Sequence, residues 1–257
     1  MHEKKVLELN NKSYTIGIIS DIHGNDKALK EVLNCLKDCD FIISLGDLIG
    51  IGPNSNEVLD IVTKLDNFYT VLGNHERYYL YGFNNPLSCL SDYHQKFTED
   101  SIDKEYKKFI EDIPVEIEIE WMGKTICFLH YARRKYEGLS FKLIDHEPTY
   151  EKLVNLFEFH KQDYLFYGHE HQGSVIRKKN GRHFIDIGST GCPCPKKGVF
   201  RYAILHLNSD ESNPISYELF EKKYDPSSVI RAMIDKDMPN KELVIESFYK
   251  ENLEDYK

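Results

Sequence analysis

The sequence predicts an α/β protein built on two β-sheets, and three observations carry that prediction. As far as Leu72, short β-branched apolar runs alternate with amphipathic helical stretches. Beyond residue 112 strands dominate, and no Pro/Gly/Ser-rich linker long enough to separate independent domains interrupts the chain. One domain over residues 1–257 is the economical expectation.

The run over residues 14–20 ends abruptly in polar residues, as a buried strand does. From Asp26 to Leu36, apolar Ala28, Leu29, Val32, Leu33 and Leu36 recur at three- and four-residue spacing and predict a helix. Residues 41–45 read as a second strand, 55–65 as a helix behind an Asn54/Ser55 cap, and 68–72 as a third strand. Strand, helix, strand, helix, strand at this spacing makes two right-handed crossovers and a parallel sheet. Residues 78–112, charged and aromatic, predict a helical insertion. Strands follow at 115–121, 124–129, 164–167, 174–177, 183–187, 202–207 and 215–220, with a helix over 150–160 and an amphipathic helical segment over 226–257.

Composition excludes several classes of function. The 257 residues carry 33 Lys+Arg against 42 Asp+Glu, a formal charge of −9, which argues against a duplex nucleic-acid partner. No apolar run approaches a membrane span and residues 1–12 are charged, so no membrane is expected and a cytoplasmic location is simplest. Six irregularly spaced cysteines are not a disulfide framework. Cys35 and Cys39 read as small buried apolar residues of a helical stretch. Cys192 and Cys194 read as an ordered loop, since no second thiol pair or His at zinc-site spacing accompanies them.

The chemistry sits at strand ends. The first three strands run into Asp21-Ile22-His23-Gly24-Asn25, Gly46-Asp47 and Gly73-Asn74-His75-Glu76, and two later strands into His130 and Gly168-His169-Glu170-His171. Carboxyl ends of adjacent parallel strands line one crevice, so these clusters should converge. In extended chain, residues i and i+2 share a side, which predicts pincers of Asp21 with His23 and His169 with His171. The sum is two carboxylates, four imidazoles and a carboxamide without a thiolate, a set suited to Mn, Fe or Zn and too large for one four-coordinate ion. Two ions about 3.5–4 Å apart sharing a carboxylate is the arrangement that serves phosphoryl-ester hydrolysis.

With these blocks in order, D-x-H, G-D, G-N-H-E, H and G-H-x-H, the sequence resembles the calcineurin-like metallophosphoesterases. Residues 50–58, 187–191 and 201–205 and the closing Tyr224-Asp225 resemble the small bacterial and archaeal phosphodiesterase branch, so the resemblance covers nearly the whole chain. It implies a four-layer α-β-β-α sandwich with two mixed sheets. It also implies that Asp21, His23 and His171 bind one metal, that Asp47 bridges, that Asn74, His130 and His169 bind the second, and that His75 acts on the leaving group. The cofactors implied are two transition-metal ions, Mn or Fe foremost and Zn as an alternative. The chain departs from relatives with S-H-G where it has Leu129-His130-Tyr131, and in its Cys192/Cys194 loop.

Arg77, Arg133 and Arg134 stand beside proposed site residues, and their planar forks suit phosphate oxygens. The alternative is a solvated basic face. The expected function is two-metal hydrolysis of a small-molecule phosphate ester or nucleotide, as a phosphodiesterase or phosphatase. The enzymatic alternatives are a dinucleoside polyphosphate hydrolase and a protein phosphatase. A metal-binding interaction scaffold is the rival from another class, disfavoured because His75 and all the ligand positions are present. An oligomer is compatible with the sequence.

Overall fold

The computed structural model describes residues 4–82, 92–134, 141–143, 148–173 and 175–249. Eleven strands among them form two mixed sheets: β1 (Lys4–Val6), β2 (Ser13–Ile19), β3 (Phe41–Ser44), β4 (Phe68–Thr70), β5 (Glu116–Trp121), β6 (Lys124–Leu129), β7 (Tyr164–Tyr167), β8 (Val175–Lys179), β9 (Arg182–Asp186), β10 (Val199–Asn208) and β11 (Ile215–Lys223). One sheet has the order β11-β10-β2-β3-β4, the other β1-β5-β6-β7-β9-β8. The helices are α1 (Asp26–Cys35), α2 (Ser55–Val62), α3 (Asn74–Tyr81), α4 (Asp92–Asp100), α5 (Tyr106–Glu111), α6 (Tyr150–Leu156), α7 (Ser227–Asp235) and α8 (Lys241–Val244), the last running into a π-helical turn, Ile245–Tyr249.

Strand alternation sorts the side chains into layers. Ile16, Ile18 and Ile43 of one sheet meet Ile117, Ile119, Ile126 and Phe128 of the other in a buried inter-sheet core. The opposite face of the five-stranded sheet packs Ile19 and Ile42 under Leu29, Val32, Val58 and Leu59 of α1 and α2. Cys127, Leu129, Leu165 and Phe184 on the outer face of the six-stranded sheet lie under Leu153 of α6 and Phe157. The expected four layers are therefore present.

β2, β3 and β4 pair in parallel, as two right-handed crossovers require. α1 begins where the sequence places it, because Asn25 Oδ1 accepts Ala28 N–H at 2.9 Å. The Asn54 cap is positional only. That side chain makes no cap bond and instead donates to Asp26 Oδ1 at 2.7 Å. The helical insertion starts earlier than residue 78, since α3 opens at Asn74 and draws the third polar cluster into its first turn. Cys39 lies beyond the end of α1, and Cys35 and Cys39 are only partly buried. Cys89 and the end of the C-terminal segment, residues 250–257, lie outside the described residues. β1 was not foreseen; its three exposed residues pair in parallel with β5. Among the described residues, no helix is long and apolar enough to cross a membrane.

Candidate metal centre

The five polar clusters converge at one edge of the two sheets, but not through extended chain. Asp21 (φ 53°), His23 (φ 51°), Asp47 (φ 54°) and His169 (φ 71°) all occupy the left-handed region. Side chains other than glycine pay about 1–2 kcal/mol there, and such strain concentrates at functional sites. Asp21 and His23 therefore converge without the extended geometry expected for them, while His169 and His171 part, His169 to His130 and His171 to His23. Neighbouring loops hold the strained backbone: Thr190 N–H donates to Ser20 O at 2.8 Å, Gly191 N–H to Asp21 O at 3.0 Å, and Ser189 Oγ to Asp21 O at 2.8 Å.

Two groups of donors face each other. In the first, His23 Nε2 lies 3.0 Å from His171 Nε2, and His171 Nε2 lies 3.2 Å from Asp21 Oδ1. In the second, His130 Nε2 lies 3.0 Å from Asn74 Oδ1 and 3.1 Å from His169 Nδ1. Asp47 Oδ2 stands between them, 3.7 Å from His23 Nε2 and 3.3 Å from His130 Nε2. The second nitrogen of two rings is engaged outside the centre, His23 Nδ1 toward Ile49 O at 3.3 Å and His130 Nδ1 toward Leu45 O at 2.7 Å. That choice turns each Nε2 inward, as metal-binding imidazoles require. Two donors about 2.1 Å from one ion and at right angles to it are about 3.0 Å apart, so the spacings fit shared ions.

Charge agrees with geometry. Burial alone would raise both carboxyls, yet His130, His75 and His23 hold Asp47 well below the ordinary range, and bonds from His171 and His23 do so for Asp21. Burial alone would lower His130, but Asp47 lifts it to about 9. Burial and then the charge of His130 push His169 down to about 3. Asp21 and Asp47 are at most 1% exposed, so anionic oxygens are fixed in a desolvated pocket where cations are strongly favoured.

Asp47 is aimed by a residue to which the sequence reading gave no role. Buried Glu76 accepts four backbone N–H bonds, from Leu48 (2.7 Å) and Ile49 (3.3 Å) at Oε1 and from Asp47 (3.0 Å) and Gly73 (2.9 Å) at Oε2. Burial and then Asp47 push Glu76 up to about 7, while the N–H bonds favour its charged form. The helix-start spacing of Gly73 and Glu76 was the available signal. His75 N–H donates to Asp47 Oδ1 at 2.9 Å, which leaves Oδ2 for the centre. At Gly73 a Cβ would stand 2.1 Å from Asp47 Oδ1, so this approach needs glycine.

The His75 ring faces His23 edge-on at 4.8 Å between centroids, and its buried Nδ1 has no hydrogen-bond partner among the described residues. A Cβ on Gly50 would lie 2.0 Å from that nitrogen, so the glycine makes room for the ring. Burial pushes His75 down to about 3 against the pull of Asp47.

Aromatic walls missed in the sequence complete the centre. Phe141 lies 5.3 Å from the His130 ring and 5.7 Å from that of His169, and Phe248 lies 5.7 Å from His171. Tyr131, the departure from S-H-G, packs its ring 5.0 Å from His169 and donates to Glu170 Oε1 at 2.8 Å. Cys192 is buried in the apolar cluster that α7, α8 and the π-helical turn form with Ile51, and Cys194 N–H donates to His171 O at 2.9 Å. The C-x-C loop thus supports a ligand through its backbone.

The arginines are less closely gathered. Arg77 sets its guanidinium 5.9 Å from the Phe141 ring, with a buried Nε that has no partner among the described residues. Arg133 forms a β-bridge with Phe141, and Arg134 is exposed.

Comparisons with known proteins place this geometry. Residues 14–210 match the family model described as the calcineurin-like phosphoesterase superfamily domain. An uncharacterized protein of Methanocaldococcus jannaschii is 31% identical over 229 residues, covering 86% of this chain and 88% of that one. A shorter stretch of 63 residues, 23% of each chain, is 43% identical to the symmetrical bis(5'-nucleosyl)-tetraphosphatase of Wigglesworthia glossinidia brevipalpis. The crystal structure of a metallophosphoesterase from Sphaerobacter thermophilus superposes with a TM-score of 0.69 at 22% identity, over 91% of this chain and 97% of that one, and so shares the fold.

Proposed function

The chain belongs to the calcineurin-like phosphoesterase superfamily and is a phosphoric ester hydrolase, and we propose that it uses two metal ions to cleave nucleotide-type esters as a phosphodiesterase or phosphatase. The observation that carries the two-metal reading is Asp47 Oδ2, one carboxylate oxygen set between two donor groups. Asp21, His23 and His171 would hold one ion, Asn74, His130 and His169 the other, and Asp47 both. Mn or Fe suits this mixture of hard oxygens and imidazoles, with Zn as an alternative. Bound there, such ions lower the pKa of a water to make a nucleophile near neutral pH and offset charge on phosphoryl oxygens.

The remaining steps fall to the chain. Asp47 keeps both donor groups at fixed separation because Glu76 anchors its loop and His75 N–H occupies its other oxygen. His75 would donate a proton to the departing oxygen. With its ring held near 3 by burial, it is neutral in the ligand-free protein, and the substrate's anionic phosphate supplies the charge that favours its protonated form. Arg77, Arg133 and Arg134 would receive further substrate phosphate oxygens.

A second reading, hydrolysis of a dinucleoside polyphosphate, is favoured by the buried Arg77 Nε, which has no hydrogen-bond partner among the described residues, and by the local similarity to a protein named a tetraphosphatase. A hydrolysis panel of nucleoside monophosphates, cyclic nucleotides, dinucleoside polyphosphates and phosphopeptides, run separately with Mn, Fe, Zn and Mg, decides between them. Preference for phosphopeptides, or no hydrolysis with any of these metals, refutes both.

A further inference from the structure

Outside this centre a second set of metal-binding side chains meets on the outer face of the six-stranded sheet. A carboxylate oxygen of Glu116, the Cys127 sulfur and a ring nitrogen of His160 all lie within 4.8 Å of one another. The fold brings them together for definite reasons. β5 and β6 are antiparallel with Glu118 opposite Cys127 and Glu116 opposite Leu129, so Glu116 and Cys127 are diagonal neighbours on one face. His160 arrives from the turn that follows α6, where its N–H donates to Phe157 O at 3.0 Å.

We propose that Glu116, Cys127 and His160 bind a zinc ion separate from the catalytic pair. His160 Nε2 is already 3.1 Å from Glu116 Oε2, close to the spacing of two donors on one ion. His160 is 8% exposed, its ring meets Phe157 edge-on at 6.1 Å, and its buried Nδ1 has no hydrogen-bond partner among the described residues. Neighbouring Glu118 is engaged by Lys4 at 2.6 Å and Gln162 at 2.7 Å, which leaves Glu116 as the carboxylate for the ion. A thiolate among the donors selects zinc over the harder ions suited to the main centre. Cys127 is fully buried, and burial with the nearby glutamates keeps it a thiol in the metal-free chain. Zinc uptake therefore releases the thiol proton to solvent and leaves sulfur, nitrogen and oxygen on the ion with one position for water. Such an ion would clasp β5 and β6 to the turn after α6, with its ligand Cys127 three residues before His130.

The test is metal binding by the full-length protein. The main centre contains no thiolate, so thiolate-to-cobalt charge-transfer absorption in the Co(II)-loaded protein reports this second cluster. The proposal expects that band in the wild type and in Cys194→Ser, its loss in Cys127→Val, and its weakening in His160→Gln. It also expects one further tightly bound zinc equivalent in the wild type than in either Cys127→Val or His160→Gln. Absence of the band in wild type, or its persistence in Cys127→Val, overturns the site. If Cys127→Val does not fold, the zinc count of the wild type against His160→Gln decides, and equal counts refute it.

Discussion

Replacing Glu76 by Gln changes one oxygen of a buried carboxylate to NH₂ without removing volume. The four N–H groups that Glu76 accepts are divided two to each oxygen, so a glutamine carbonyl satisfies one pair and confronts the other with a donor. An unsatisfied buried N–H costs about 1–3 kcal/mol, which puts the loss at about 2–6 kcal/mol, and the charge assistance on the satisfied pair goes as well. That is a large share of the roughly 5–15 kcal/mol that holds a domain together. Because three of the four donors are Asp47, Leu48 and Ile49, the damage should fall on the loop that aims the bridging carboxylate, and metal affinity should drop with stability. Denaturant unfolding of the metal-free variant, followed by metal titration, measures both. Glu120→Gln, on an exposed position of β5, serves as a control expected within about 0.5 kcal/mol of wild type. If Glu76→Gln matches that control and binds metal normally, the anchoring role is wrong.

Three further outcomes are expected. His75→Ala should lose about 10²- to 10⁴-fold in kcat/KM on a nucleotide ester, whose alkoxide needs a proton, and clearly less on a nitrophenyl ester, with metal content retained; equal losses on both substrates, or loss of metal, would reassign the proton donor. Metal-free protein should weaken as pH rises from 7 to 9, because His130 titrates at about 9 when folded and near 6.5 when unfolded, so its stabilising proton is fully bound below 6.5 and lost through 9. Unfolding free energies from denaturant titrations at the two pH values should differ by about 1–3 kcal/mol without metal, and a rise in stability over that window would contradict the pairing of His130 with Asp47. Changing Arg133 and Arg134 together to Ala should raise KM for polyphosphate substrates far more than for monoesters, and equal effects would return them to a solvated face.

The sequence exposed the ligands because apolar strands stop sharply at Ser20, Leu45, Leu72, Leu129 and Tyr167, and parallel topology brings such ends together. What it hid was backbone conformation and distant packing. The i, i+2 rule reached the right partner for Asp21 through the wrong geometry and paired His169 with His171, which turn to different donor groups, since left-handed residues at these positions have no periodic signature. α3 was placed too late because Asn74, His75 and Glu76 look like the polar end of a strand, although they also form the first turn of a helix. Phe141 and Phe248 reach the centre from segments far apart in the chain, and no local pattern marks an aromatic as the wall of a site. β1 is three exposed residues long, too short for alternation to show.

The central claim, that Asp47 serves two catalytic ions at once, is tested most directly by titrating Mn(II) into chelated protein while following hydrolysis of a nucleotide diester. The wild type should reach its maximal rate at two equivalents of Mn(II) per chain, the thiolate cluster taking none of this hard ion. Asp47→Asn, with its bridging charge removed, should bind fewer ions and stay far below that rate at any Mn(II) concentration. A plateau at one equivalent in the wild type, or two bound ions with a near-normal rate in Asp47→Asn, would contradict the account.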